Sequence, residues 1–340
     1  MSSPLPSPAD DLHDELPPAH RNVVLRVVQS VWFRLVVTVG LLAIIASGID
    51  WDQMWSRIEE GYPGWFLVAV VLVFAALVVG AVRWGLLLRA ADVVLTPAQV
   101  GRVYAMSTFA STFLPTSVGG DVARALLVAR RGRPLVRTTL SIVLDRIAAF
   151  AGLIVVALVS WAIDPGAVPA SMERPLLLLS AVCLAAGLAG LAFLAISPAF
   201  FVRRVPARWR AELRDLRDIV LRCARHPGIG IPVLVASVVF QALVVLQLCA
   251  LARSISVPLT FPVAAVTVTL VTLITLVPLS IAGFGIREGS YVVLLAAVGI
   301  NATDATLLSL ETVAVLFIAA LPGAALLVRH GMRPVLEAPA

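Results

Sequence analysis

The chain contains no lysine; all 26 of its basic residues are arginine, set against 20 acidic residues. Charge of either sign is scarce, at 14% of residues against 60% hydrophobic, where a soluble domain carries about 25% charged residues. That scarcity excludes an ordinary soluble enzyme. Cysteine is scarce too. Cys183, Cys223 and Cys249 are widely spaced, and two of them lie in apolar runs where a thiol behaves as a small hydrophobe, so neither a disulfide framework nor a metal site is expected. The four histidines, His13, His20, His226 and His330, stand alone in tails and loops, without the spacing of metal ligands or of a catalytic base. The excess of base speaks of membrane orientation and anionic lipid rather than nucleic acid.

Long apolar runs fill most of the chain. A helix rises 1.5 Å per residue, so about 20 apolar residues cross the hydrocarbon core. Six runs meet that length: Val31 to Ile49, Gly64 to Val82, Thr138 to Ile163, Pro175 to Phe200, Ile229 to Leu251 and Thr306 to Val328. Two further regions, Pro97 to Ala129 and Pro258 to Ile300, are apolar but broken midway by Pro, Gly and charge. The expected fold is an all-α integral membrane protein of six transmembrane helices plus two broken helical hairpins, re-entrant or fully spanning, in an inverted repeat. Residues 1–30 read as a disordered tail, poor in apolar residues, residues 31–328 as the polytopic domain and residues 329–340 as a short polar tail.

Arginine placement predicts the orientation, since basic loops stay on the cytoplasmic side. Eight arginines crowd Arg203 to Gly228, and Arg130, Arg131, Arg133 and Arg137 crowd another stretch, whereas the loop holding Asp50, Asp52, Glu59 and Glu60 has only Arg57. Both termini are expected in the cytoplasm of a cell-membrane protein. Within the basic loop, Trp209, Leu213, Leu216, Val220 and Cys223 recur on one helical face. That pattern predicts a helix lying on the inner leaflet, or equally a solvated linker that fixes topology.

The two breaks repeat one another. Thr112 to Arg124 and Thr275 to Arg287 share Thr, Pro, Ser, Gly and Arg at one offset of 163 residues. Pro115 and Pro278 break the helices, and Gly119, Gly120, Gly283 and Gly285 allow close backbone approach. Such backbone is tolerated at membrane depth only where protein or a watery cavity surrounds it, so the breaks, with Ser117 and Ser280, point inward. Helices restarting after them, the first with Asp121 as N-cap, put Arg124 and Arg287 at positive helix ends, where a cation is disfavoured unless an anion sits there too. A lipid phosphate is the expected ligand, with Arg146 as a third contact. The bland alternative pairs Arg124 with Asp121 and Arg287 with Glu288 in closed salt bridges.

Asp145 and Arg146 are sequence neighbours, cannot share a helix face and should meet different partners, Asp145 as a counter-ion. Glu311, early in the last run, reads as a proton carrier or as a partner of Arg287. Gln241 and Gln247 read as interhelical hydrogen-bond donors.

Taken together, Arg83-Trp84, Leu114-Pro115, Gly119-Gly120-Asp121 with Arg124, Asp145-Arg146, Pro278-Leu279-Ser280 and Gly283-Phe284-Gly285-Ile286-Arg287-Glu288-Gly289 carry a resemblance. From about Val31 to Val328 the chain resembles the flippase-like membrane proteins related to the transmembrane half of lysylphosphatidylglycerol synthase. Asp145 departs from the glutamate expected before the arginine. The resemblance implies a bacterial or archaeal membrane protein that moves a lipid or lipid-linked precursor between leaflets. In that family aminoacyl transfer belongs to a separate soluble domain, and this sequence ends at Ala340 after a short polar segment. It holds no phosphate-cradling loop, His-Glu-x-x-His or Gly-x-Ser-x-Gly pattern. The expectation is therefore a transporter, not an enzyme, with no cofactor and with a membrane lipid as partner. The alternative is a non-transporting scaffold or regulator of a membrane enzyme.

Overall fold

The computed structural model describes residues 39–41, 43–113, 119–129, 134–196, 210–276 and 283–330. All regular structure among them is helical. The helices are α1 (Trp51–Glu59), α2 (Pro63–Ala90), α3 (Pro97–Phe113), α4 (Gly119–Ala129), α5 (Leu135–Ile163), α6 (Ala170–Ile196), α7 (Arg210–Arg225), α8 (Pro227–Ser254), α9 (Phe261–Thr275), α10 (Ile286–Ala296) and α11 (Ala302–His330). Five of them, α2, α5, α6, α8 and α11, are long and apolar enough to cross a membrane. They coincide with five of the six expected spans. Nearly half of the sixth, Val31 to Ile49, lies outside the described residues, with 39–41 and 43–47 helical. Proline opens α2 and α8, where its missing N–H costs nothing.

The repeat seen in two short motifs extends over the whole bundle. A short polar helix, a long helix, two half-length helices and a second long helix occur in that order as α1 to α5 and again as α7 to α11, with α6 between them. Helices α2 and α8 both have 28 residues and start at Pro63 and Pro227, an offset of 164. Helices α5 and α11 both have 29 residues and start at Leu135 and Ala302, an offset of 167. Packing follows the same symmetry. The broadest interface joins α2 to α8, α5 packs on α9 as α11 packs on α3, and each half-length pair packs on itself.

The two repeats run in opposite directions. At one end of the bundle Asp92, between α2 and α3, accepts from Arg137 of α5 and Arg222 of α7, so the first hairpin leaves from and returns to the α7 end. At the other end the Tyr62 N–H donates to Ser254 O (2.8 Å), the Asp50 N–H to Thr303 Oγ1 (3.2 Å), and Arg57 pairs with Asp304 (3.2 Å). The second hairpin therefore leaves from and returns to the α1 end. By the helical rise, the 15 residues of α9 span about 22 Å and the 11 of α10 about 16 Å, short of the roughly 30 Å hydrocarbon core. The two hairpins thus enter the bundle from opposite ends.

Two local expectations are corrected. Residues 51–59 form a helix capped by Asp50, whose carboxylate accepts from the Gln53 N–H, where the sequence suggested only an acidic loop. The amphipathic helix α7 turns Ile219 and Cys223 into the core beside Val93, Leu127 and Ile142, and it packs on α5, α8 and α2. Its apolar face meets protein, because the ends of those three helices offer an apolar surface at that depth.

Candidate functional site

Between the two hairpins lies a cavity of about 470 Å³. Helices α2, α3, α4, α5, α8, α9 and α11 and the second hairpin's tip contribute to its wall. Among the described residues four arginines, Arg83, Arg124, Arg146 and Arg287, line it, with Asp145 as the only lining carboxylate. Arg124 and Arg287, from hairpins that enter at opposite ends, thus face one space.

Arg124 lies in the second turn of α4, because that helix already includes Gly119, three residues earlier than an Asp121 cap would allow. Its Nη1 donates to Asp145 Oδ2 at 3.1 Å and its Nε to Ser107 Oγ at 3.3 Å. The guanidinium lies against the Trp84 and Tyr104 rings, 4.9 and 4.5 Å from their centroids, which adds cation–π attraction. From α2, the Arg83 Nε donates to Asp145 Oδ1 at 2.7 Å, and Phe240 of α8 packs under its guanidinium at 5.1 Å. Arg83 is 2% exposed, and its Nη1 is buried with no partner among the described residues. One carboxylate thus serves two buried cations.

Gly120 explains how α4 reaches this position. A Cβ there would stand 2.6 Å from the Ser107 carbonyl oxygen, so only glycine lets α4 lie that close to α3. The second tip uses glycine differently. Gly283 and Gly285 have φ of +80° and +82°, a backbone region that side chains disfavour, and a Cβ on Gly285 would be 2.6 Å from Leu41 Cβ. This turn starts α10, and the Glu288 carboxylate reaches back to accept from the Gly285 N–H at 2.5 Å. Glu288, 1% exposed, also accepts from Arg287 (3.2 Å) and from Ser309 Oγ of α11 (3.3 Å). Arg287 sits in the first turn of α10, its guanidinium 5.1 Å from the Phe284 centroid.

Arg146 donates to Asp121 Oδ2 at 2.9 Å and leaves half its side chain exposed. The partners of Arg124 and Arg146 thus cross over relative to the closed pairing that the sequence allowed: Arg124 takes Asp145 and Asp121 takes Arg146. Helix α4 points Asp121 and Arg124, about one turn apart, at two adjacent residues of α5. For Arg287 the closed pair does form, with Glu288. Glu311 lies outside the cavity and is not paired with Arg287; it accepts from Ser254 Oγ at 3.1 and 3.2 Å, since α11 turns it toward the end of α8. Gln241 Nε2 donates across to Ala149 O of α5 at 3.3 Å. Gln247 lines an adjoining chamber of about 240 Å³, whose wall is mostly apolar and includes Arg287.

Among the expected site residues, the structure brings Arg124, Arg146, Arg287 and Asp145 to one cavity, with Asp121 and Glu288 behind the arginines. Ser117, Ser280, Pro115 and Pro278 lie outside the described residues. The sequence reading missed Arg83 as a site residue; its signal was an arginine at the end of one apolar run with a second charge, Asp145, in the next membrane-length run. Among the described residues, four guanidiniums against three carboxylates leave an excess of one positive charge in a partly apolar chamber. Buried cations of this kind need anionic or hydrogen-bonding partners to offset desolvation. The arrangement can hold an anion.

Five membrane-length helices with two inverted hairpins that share a central cavity define a polytopic, all-helical membrane protein. The sequence model described as lysylphosphatidylglycerol synthase TM region matches residues 31–323. The chain belongs to that family. Among curated proteins none matches it.

Proposed function

We propose that the protein moves an anionic lipid, or a lipid-linked precursor, between the leaflets of the cell membrane. The observation that carries this reading is the meeting of Arg124 and Arg287 in one cavity from hairpins rooted at opposite ends. A substrate held there is reachable from either side by displacement of one hairpin, the geometry of alternating access. The adjoining apolar chamber suits the start of the acyl chains. The α7 end, with its exposed Arg214, Arg217 and Arg225, faces the cytoplasm in this reading, as do both termini. No chemical step is assigned to the protein: the cavity's carboxylates are held by arginines, so none is placed as a free base. A rival role as a scaffold for a membrane enzyme rests on the same exposed arginines of α7.

Reconstitution decides between them. Vesicles holding wild-type protein should flip a fluorescent anionic lipid, read by quenching from outside, and Arg124→Ala and Arg287→Ala should reduce this to the rate of empty vesicles while the proteins elute as folded species. Wild-type rates in both variants would exclude the site. Loss of cellular function only on neutralising Arg214 and Arg217 would favour the scaffold.

A further inference from the structure

The cavity's charge is not shared equally between the repeats. At the offset of 164 that relates α2 to α8, Arg83 corresponds to Gln247; Asp145 corresponds to Ser309 at that offset and to Thr312 at the 167 between the starts of α5 and α11, both uncharged. In the second repeat, Arg287 and Glu288 balance one another, with Ser309 donating to Glu288. Arg146 and Asp121 balance as well. In the first repeat, Asp145 spends one oxygen on Arg83 and the other on Arg124, and both guanidiniums remain charged. Among the described residues, the single unmatched charge of the cavity is therefore confined to the Arg83–Asp145–Arg124 triad.

A second observation points the same way. Arg83 Nη1 is a buried donor on a cavity-lining side chain and has no partner among the described residues. A buried donor left unmade is costly, and each orphan in a native structure calls for an acceptor. The acceptor that fits has one negative charge and oxygens able to meet a guanidinium fork.

We infer that Arg83 and Arg124, sharing Asp145, select a phosphodiester monoanion over a phosphomonoester, with Arg83 as the specificity-determining contact. A phosphodiester carries one charge spread over two free oxygens, which neutralises the triad. A phosphomonoester, with a second pKa near 6, carries about two charges above neutral pH. Its second charge would stay uncompensated in a chamber of low dielectric, where charge imbalance is poorly screened. Asp145 thus sets the count: without its carboxylate the same two arginines would match a dianion. The inference rests on the reading of the cavity as an anion site and narrows it to one class of headgroup.

The test is binding, not transport, so the two readings can fail separately. Purified full-length protein in detergent is titrated at pH 8 with dihexanoyl phosphatidylglycerol, dihexanoyl phosphatidic acid and uncharged dihexanoylglycerol. Wild type should bind the diester at least about tenfold more tightly than either of the others. Arg83→Gln leaves Asp145 and Arg124 balanced, should keep the fold, and should bring the diester down to the level of dihexanoylglycerol. Asp145→Asn should reverse the order in favour of phosphatidic acid, a reversal that a merely structural role would not produce. Should Asp145→Asn not fold, the wild-type ratio and Arg83→Gln decide. Glycerophosphoglycerol, the same diester without acyl chains, separates sources: weak binding assigns a lipid and equal binding a soluble diester, both within the proposed class. A wild type that binds phosphatidic acid as tightly as phosphatidylglycerol, or an Arg83→Gln variant with unchanged affinity, overturns the proposal. Charge-selective binding without lipid movement would instead overturn only the transport reading.

Discussion

Asp145 of α5 bridges two arginines from different helices, Arg83 of α2 at 2.7 Å and Arg124 of α4 at 3.1 Å. The bridge ties a half-length helix to two spans, and it makes the three positions unequal. Taking away the shared carboxylate strands two buried cations, whereas taking away one cation leaves a matched pair. Breaking a buried pair from one side costs about 3 to 5 kcal/mol. Asp145→Ala should therefore lower the melting temperature in detergent far more than Arg83→Gln does. Equal shifts in the two variants would show that Asp145 is not the shared counter-ion.

The second tip depends on a backbone conformation. Gly285→Ala puts a side chain at φ of +82° and against Leu41, so it should destabilise by about 1 to 3 kcal/mol from strain alone. Gly289, one turn on in α10, has open space around it, and Gly289→Ala should be neutral or slightly stabilising. Thermal unfolding of the two variants side by side checks the contrast, and similar losses in both would place the constraint elsewhere.

At the α7 end, Asp92 accepts from Arg222 and Arg137, and Arg137 also donates to Asp215 at 3.1 Å. The hydrogen bond from Arg222 holds the Asp92 carboxyl below its ordinary value of 3.8, with Arg137 adding to the effect. A carboxyl whose folded value is depressed contributes stability above its unfolded pKa and loses it as pH falls through the folded one. Docking of α7 should accordingly persist from neutral pH down through mild acid and loosen only below the usual carboxylate range. These charges are partly exposed, so high salt should weaken the contact. Hydrogen exchange of residues 210–225 reads both effects, and Asp92→Asn should raise exchange at neutral pH. Protection that is unchanged in Asp92→Asn would show that α7 is held by the Arg137–Asp215 pair and by Ile219 and Cys223, without Asp92.

Much of this architecture is legible in the sequence, for reasons of length and cost. The five long helices announce themselves because only an apolar run of membrane length can cross lipid. The hairpins announce themselves because Pro, Gly and Arg recur at matched places where lipid-facing helices avoid them. Partner choice was not legible. Asp121 is three residues from Arg124, the natural pair on a helix, yet the ion pairs are set by how α4 crosses α5, which the one-dimensional pattern does not contain. Arg83 reaches an acid 62 residues away for the same reason. The full extent of the repeat was hidden because α5 and α11 correspond in length and packing while one carries Asp145-Arg146 where the other, at the offset of 164, carries Ser309-Leu310.

The most direct measurement is a cryo-electron microscopy map of the protein in nanodiscs of phosphatidylglycerol. A headgroup density should lie in the cavity within hydrogen-bonding distance of Arg83 and Arg124, facing Arg287, with chain density running into the adjoining chamber. A map that resolves these side chains with no density between the two hairpin tips, and lipid only around the outer surface of the bundle, would contradict the anion site and the function built on it.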